Sequence, residues 1–281
     1  MKIRFCMIAA LVMIVLWMQK VPQPENSGGC TLPVLLYHHF DENVTADTVV
    51  SPGRFREQMI ALKEAGYTTV TLRQIVDYVE QGVPLPDKPI LITMDDGYTS
   101  NLTIAAPILE ELGMCATVFL IGIYEGETIN PHSGNVLYPA RFAYEAAAEW
   151  VEKGVLELQS HTYDMHQKAV DGFSGRDGIL RLVGEEDAAY RLALQMDAEA
   201  FSEKMKGRGA TEEVFALAYP YGFFCSDARE ILEEVGIRMT FTVVEHKNTL
   251  RVGEKGCLWN MGRFNVTNRD SGAALLQRLG G

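Results

Sequence analysis

Two adjacent carboxylates, Asp95 and Asp96, lie in this 281-residue chain where an apolar run meets a glycine turn. The run, residues 88–93, predicts a buried parallel strand. Active sites of α/β folds are built at the edge where such strands end. Neighbouring side chains on an extended backbone point to opposite sides, so one Asp would bind a metal while the other faces substrate or water. A solvated Asp-Asp-Gly turn is the alternative interpretation, because such turns are common.

Two histidines, His161 and His166, follow a second predicted strand at residues 155–160. On a helix, five residues of separation would place them roughly 140° apart, on different faces. They can therefore share a ligand only at a strand end or in a loop. One Asp with two His is a nitrogen and oxygen ligand set suited to zinc or a similar divalent ion, and it leaves positions open for water and substrate. The combined pattern favours a metal site over separate surface or core roles.

The rest of the chain alternates strand and helix signals, which predicts a parallel sheet with helical crossovers in the α/β class. Pattern alone leaves an open sheet and a barrel as alternatives. Helices are expected over residues 54–65, 72–81, 104–112, 140–152, 185–206 and 226–234, and further strands over 33–37, 68–71, 116–121, 214–219 and 239–244. The charged helix at 185–206 is a candidate insertion. All the polar motifs follow predicted strands, so a parallel barrel would bring them to one face.

The segment Thr93-Met-Asp-Asp-Gly97 and the segment from His161 to His166 resemble the two signatures of the polysaccharide deacetylases, the chitooligosaccharide deacetylase homology domain of carbohydrate esterase family four. Residues 32–40 and 215–222 resemble further stretches of that family, and the resemblance covers roughly residues 31–270. The histidines are commonly four residues apart there, and the longer spacing is similar to the poly-N-acetylglucosamine deacetylase branch. The resemblance implies a single domain with an irregular (β/α) barrel, a deformed TIM-like fold.

The resemblance also implies a role for individual residues. Asp96, His161 and His166 would bind a divalent metal, zinc first, with Co²⁺, Ni²⁺ or Mn²⁺ as alternatives. Asp95 would be the general base that takes a proton from the attacking water. The backbone N–H of Tyr221 would help to bind the oxyanion, next to the rigid Pro220, although an ordinary turn is the alternative for this segment.

The general acid lacks a full match to the family pattern. The family supplies a late histidine, and His246 is the candidate here, although its surroundings differ from the usual apolar motif and a solvated loop position is the alternative. Asp164 is a candidate to orient a ligand histidine, with a solvated loop as the alternative. Substrate contacts are expected from the residues near the predicted site, which are His38, His39, Tyr98, Pro220 and Arg263.

Charge and composition restrict the class of protein. The formal net charge of −12 argues against a nucleic-acid surface, which needs a basic stripe. A hydrophobic content of 47% is sufficient for one large core. The five cysteines are scattered, so they predict neither a disulfide framework nor a short-spaced metal motif.

The N-terminus has the features of an export signal. Lys2 and Arg4 precede an apolar run of 14 residues, 5–18. A spanning helix needs about 20 residues, so an uncleaved anchor would be a marginal span, and a cleaved signal peptide is the alternative. Residues 1–20 are thus interpreted as signal anchor or signal peptide, 21–30 as linker, and 31–281 as catalytic domain. The basic residues before the run predict an extracellular domain on the cell membrane, or a secreted one after cleavage.

The expected function is metal-dependent removal of N-acetyl groups from an extracellular polysaccharide that contains N-acetylglucosamine: poly-N-acetylglucosamine, peptidoglycan or a chitin-like polymer. The alternatives are an O-acetyl xylan esterase of the same family, a metal-dependent hydrolase or isomerase on another substrate, and a degenerate carbohydrate-binding domain without turnover.

Overall fold

The computed structural model describes residues 29–206 and 213–280. The predicted anchor or signal peptide and nearly all of the predicted linker lie outside the described residues. Within the described ranges, no helix has the length and apolar character needed to cross a membrane.

The strands are short, and those of the central sheet are buried. In chain order they are β1 (Cys30–Leu32), β2 (Val34–Tyr37), β3 (His39–Phe40), β4 (Val49–Val50), β5 (Thr68–Thr69), β6 (Pro89–Asp95), β7 (Ala116–Leu120), β8 (Leu156–Ser160), β9 (Ala216–Ala218), β10 (Met239–Phe241), β11 (Asn248–Leu250) and β12 (Phe264–Asn265). The helices are α1 (Pro52–Glu64), α2 (Leu72–Gln81), α3 (Ala106–Leu112), α4 (Ala148–Glu152), α5 (Asp187–Met205), α6 (Ala228–Glu234) and α7 (Gly272–Arg278).

Local sequence signals explain where several helices begin and end. The hydroxyl of Ser51 accepts a hydrogen bond from the first turn of α1, whose first residue is proline. Thr71 and Gln74 form a reciprocal capping box at the start of α2, and Gly82 ends that helix in the left-handed conformation. Helix α2 therefore has the bounds expected from the sequence, residues 72–81.

The central sheet is parallel and runs in the order β10-β9-β8-β7-β6-β2-β12, while β5 pairs with the start of β6. The chain just before β12 forms a parallel bridge between Met261 and Phe241 of β10, and β12 itself pairs with β2. One short segment thus reaches both edges of the curled sheet. The predicted irregular barrel in a single domain is confirmed, and the carboxyl ends of its strands share one face.

Both faces of β6 are buried, because the sheet has an outer layer of helices and a filled interior. Alternate residues Ile90, Ile92 and Met94 belong to one apolar cluster, together with residues of α1 and α3. Leu91 belongs to the other cluster. Asp95 has the parity of Leu91, so the strand directs this carboxylate into the barrel interior.

The helix expected over residues 140–152 is wrong in its first half. One 3₁₀ turn covers Tyr144–Ala147, and the α-helix begins only at Ala148. Residues 140–142 instead pair with the loop after β6: the N–H of Thr99 donates to the Ala140 carbonyl at 2.9 Å, and the N–H of Phe142 donates to the Gly97 carbonyl at 3.1 Å. These tertiary hydrogen bonds override the helical periodicity and bring Arg141 to the functional edge.

Candidate active site and metal centre

The two adjacent carboxylates converge on one point, contrary to the expectation of opposite sides. Asp95 ends β6, but Asp96 has a φ of 74°, so its backbone is left-handed and not extended. The Nε2 atom of His161 lies 3.7 Å from Asp95 Oδ2 and 3.6 Å from Asp96 Oδ1. Gly97 continues the turn with a φ of 68°, and a Cβ there would lie 2.6 Å from Leu120 Cδ2. The turn requires glycine at this position.

The two histidines lie in the loop after β8, as their spacing predicts. The carbonyl of Ala218 is 2.7 Å from Nδ1 of His161, and because a carbonyl only accepts, Nδ1 carries the proton and Nε2 is free to bind a metal. His166 Nε2 lies 3.4 Å from Asp96 Oδ1, and its Nδ1 lies 3.2 Å from the Tyr221 hydroxyl. The Ala218 carbonyl and the Tyr221 hydroxyl therefore each hold the Nδ1 atom of one histidine, so that its Nε2 atom faces the site.

Asp96, His161 and His166 fit a metal ion. One ligand atom from each lies within 4.8 Å of the other two. Tetrahedral zinc ligands at 2.0–2.1 Å from the ion are about 3.3 Å apart, close to the separations from Asp96 Oδ1. That oxygen is buried and has no hydrogen-bond donor among the residues that the structure describes. A buried carboxylate oxygen without a donor is costly, and a cation would compensate it.

The protonation states also suit metal binding. Burial alone would raise the pKa of Asp96, but His166, His38, His161 and Arg141 hold that pKa well below its ordinary value. Burial lowers the pKa of His166 to about 4. At neutral pH the site therefore offers a charged carboxylate and a neutral imidazole, which are the forms that bind divalent ions.

Asp95 is held by an arginine from the closing segment of the barrel. The guanidinium of Arg263 donates to both Asp95 oxygens, at 2.7 and 2.8 Å, and its Nε donates to the Thr242 carbonyl at 2.9 Å. Burial would raise the pKa of Asp95, but Arg263 and His161 outweigh it and lower that pKa. The predicted substrate contact of Arg263 is wrong, because this side chain is 0% exposed behind Asp95.

The two neighbouring histidines after β2 have different surroundings. His38 is half-buried, and its pKa is lowered by burial although Asp96 and Asp95 act to raise it. His39 turns aside: its Nδ1 lies 2.9 Å from Ser100 Oγ, and its ring packs 5.0 Å from that of Tyr98. Of the pair, His38 is the one in the electrostatic field of the carboxylates.

The aromatic residues of the predicted site are partly occupied by protein contacts. The guanidinium of Arg141 lies 3.6 Å from the ring centroid of Tyr98, and burial raises the pKa of Tyr98 well above its ordinary range. Arg141 therefore covers one face of the Tyr98 ring, and only the other face is left for the predicted contact with substrate. Tyr221 has a φ of 57° and packs its ring 4.5 Å from that of His166. Pro220 is buried in the same turn, which supports a rigid turn and not a direct substrate contact.

Two polar residues do not lie where the sequence predicted. His246 is exposed, and its described contacts are with Lys247 and Gly262, none with Asp95 or Asp96. Asp164 binds His132 Nε2 at 2.6 Å and not a ligand histidine. His246 follows β10 by five residues and lies in the exposed segment 243–247.

Sequence reasoning missed Arg141, whose Nη2 lies 3.9 Å from Asp96 Oδ2. Its position depends on the non-helical pairing of residues 140–142 with the loop after β6. An arginine in a segment with helical periodicity gives no local sign that its side chain will lie beside an active-site carboxylate.

Comparisons with known proteins agree with this geometry. A family model described as polysaccharide deacetylase matches residues 82–240. The poly-beta-1,6-N-acetyl-D-glucosamine N-deacetylase of Escherichia coli K12 is 26% identical over 238 residues, which are 79% of this chain and 34% of that protein. The protein of that name from Staphylococcus epidermidis is 28% identical over 196 residues, which are 70% of this chain and 62% of that protein. The chain thus spans between a third and two thirds of these curated relatives.

Among solved structures, IcaB from Ammonifex degensii superimposes with a TM-score of 0.71 and 25% identity, covering 90% of this chain and 99% of that one. The family model covers more than half of the sequence and includes both strand ends that carry the Asp and His ligands. The chain therefore belongs to the polysaccharide deacetylase family.

Proposed function

We propose that this protein is a metal-dependent deacetylase that hydrolyses the N-acetyl groups of a polysaccharide containing N-acetylglucosamine. The observation that carries the proposal is the convergence of Asp96, His161 and His166 on one point, with the paired Asp95 beside them. The named relatives from Escherichia coli and Staphylococcus epidermidis support poly-N-acetylglucosamine as the substrate class.

Hydrolysis of an amide requires an activated water, stabilisation of the oxyanion and a proton for the leaving amine. When bound by Asp96, His161 and His166, a divalent ion such as zinc would polarise the acetyl carbonyl and make a coordinated water more acidic. Asp95 takes the proton from the attacking water, since its lowered pKa keeps it ionised at neutral pH. Arg263 holds both of its oxygens and so fixes the direction from which the proton is accepted.

His38 is the better candidate for the proton donor to the leaving amine. It follows β2 at the functional edge and interacts electrostatically with Asp95, Asp96 and His161, whereas His246 is exposed. Burial makes His38 neutral in the free protein, so it must gain its proton in the substrate complex, where the adjacent carboxylates favour the charged form.

The test is acetate release by the purified full chain from poly-β-1,6-N-acetylglucosamine oligomers, chitin oligomers, peptidoglycan and acetylated xylan. We expect release from the first substrate, loss after treatment with a chelator, and recovery on addition of zinc. His166→Ala and Asp96→Ala should lose both bound zinc and acetate release. Release from acetylated xylan alone would replace the amide substrate with an ester, and binding of oligomers without release would favour the degenerate carbohydrate-binding domain.

A further inference from the structure

One carboxylate from a distant helix binds the main chain between the two ligand histidines. Asp197 lies in α5, the helix that the sequence marks as a candidate insertion. Its Oδ2 accepts a hydrogen bond from the N–H of Tyr163 at 2.8 Å, and its Oδ1 accepts one from the N–H of Asp164 at 2.8 Å. A single side chain therefore fixes two consecutive peptide groups of the loop.

The opposite side of this loop is held by the end of β7. The N–H of Gly122 donates to the Thr162 carbonyl at 3.0 Å, and the N–H of Ile123 donates to the Tyr163 carbonyl at 2.8 Å. Thr162 has a φ of 73°, a conformation that is strained for a β-branched residue. A strained loop keeps one geometry only when its surroundings hold it, and here the contacts come from both sides.

The carboxyl group of Asp197 has a raised pKa, which adds a pH dependence to its contacts. Burial raises its pKa to about 6, although the hydrogen bonds from Asp164 and Tyr163 lower it. Because the folded-state pKa lies above the ordinary value for Asp, the folded state binds the extra proton, and stability falls as pH rises between about 4 and about 6. At neutral pH the carboxylate is therefore charged, and it accepts both backbone hydrogen bonds in that form.

We propose that Asp197 is a positioning residue of the metal centre. By holding the N–H groups of Tyr163 and Asp164, it sets the loop so that Nε2 of His161 and Nε2 of His166 both face Asp96. The inference rests on the proposed metal site. Through Asp197, helix α5 takes part in the active site. The side chain supports the loop backbone between the two histidines, which is neither strand nor helix and has no hydrogen-bond ladder of its own.

The test compares zinc affinity, measured by competition with a chromophoric chelator, in Asp197→Asn, Glu199→Gln and the unchanged protein. Glu199 is an exposed carboxylate on the same helix, so the control removes equal charge without touching the loop. Asp197→Asn replaces one acceptor with a donor, and we expect zinc affinity to fall about 10- to 100-fold, as for other residues that orient ligands. The thermal midpoint of the metal-free protein should change by only a few degrees, and Glu199→Gln should match the unchanged protein in both measurements.

Equal zinc affinity in Asp197→Asn and the unchanged protein would overturn the inference while leaving the metal site intact. A loss of affinity accompanied by a large fall in the metal-free midpoint would also overturn it, because the role would then be structural. Failure of the unchanged protein to bind zinc would refute the proposed site itself.

Hydrogen exchange on the unchanged protein gives a second test that needs no variant. If the Asp197 contacts and zinc binding are coupled, zinc must strengthen those contacts by the same factor, since coupling is reciprocal. We expect the amides of Tyr163 and Asp164 to exchange more slowly with zinc than with chelator, whereas amides of the distant helix α1 keep their rates. Unchanged rates at both loop amides would overturn the inference.

Discussion

At the residue scale, the two carboxylates of the site have opposite surroundings. Asp95 is paired with Arg263, which is wholly buried, while Asp96 Oδ1 faces two imidazoles and no hydrogen-bond donor among the described residues. A buried ion pair contributes little net stability, because desolvation of both charges offsets their attraction. Removal of one partner is costly, because the other charge stays buried without compensation. The pairing is better explained by orientation of the base than by stabilisation of the fold.

Replacement of Asp95 by Asn should separate catalysis from metal binding. Asp95→Asn preserves the shape of the side chain but removes the proton acceptor, so turnover should fall at least about a hundredfold. Zinc content should remain because the three ligands are unchanged. Measurement of acetate release and bound zinc on the same sample checks both, and near-normal turnover would show that Asp95 is structural.

The two candidate proton donors can be compared directly. His38→Gln should lower turnover strongly, by about 10²- to 10⁴-fold, with little change in bound zinc, because the half-buried imidazole interacts electrostatically with both carboxylates and is not a metal ligand. His246→Gln is the matched control, since that ring is exposed and contacts Gly262. The comparison uses kcat for a soluble oligomer. A large loss in His246→Gln together with normal turnover in His38→Gln would restore the assignment made from sequence.

At the scale of elements, the ligand loop after β8 depends on close approach to the end of β7. Gly122 is the contact point: a Cβ there would lie 2.6 Å from Tyr163 Cδ2 and 3.0 Å from Phe201 Cδ2. No ordinary side chain fits in that space, so the small residue allows the loop and α5 to pack against the strand end.

Gly122→Ala should therefore disturb the metal centre from outside the ligand set. Displacement of Tyr163 moves the backbone between the histidines, so we expect weaker zinc binding and a stability loss of about 1–3 kcal/mol from overpacking. Gly53→Ala in α1 is the control, because a Cβ there meets no heavy atom within 4 Å. Chemical denaturation and zinc titration of both variants provide the measurement, and equal behaviour of the two would contradict the packing argument.

At the scale of the whole molecule, closure of the curled sheet brings the late part of the chain to the early part. The segment that carries Met261 and Arg263 bridges β10 and then pairs with β2. Arg263 thus reaches an aspartate 168 residues away in sequence. The catalytic arrangement depends on this closure and cannot form in an isolated half of the domain.

The location of the protein stays a prediction that belongs to this scale. Residues 5–18 form an apolar run after Lys2 and Arg4, so the full chain should sediment with the membrane fraction and be accessible to external protease. Deletion of residues 1–28, which leaves β1 intact, should release the domain into the soluble fraction. A shortened protein in the medium would show instead that the N-terminal segment is a cleaved signal peptide.

The sequence by itself determined most of the strands and helices around the site, with the first half of the helix expected over residues 140–152 as an exception, and it identified the candidate ligand set. Apolar runs predicted the strands before Asp95 and His161, and the five-residue spacing placed both histidines in a loop. These features are local, because side-chain periodicity and turn residues fix which groups leave the end of a strand.

Only the tertiary structure decided which groups face one another at that edge. It paired Arg263 with Asp95, turned His39 away from the site while His38 stayed, placed Arg141 beside Asp96, and brought Asp197 to the ligand loop. None of these pairings has a local signal, because each joins elements that meet only when the barrel closes. The left-handed backbone at Asp96 is decided in the same way: it reverses the expected direction of one carboxylate, and the packing of the neighbouring turn against β7 holds it there.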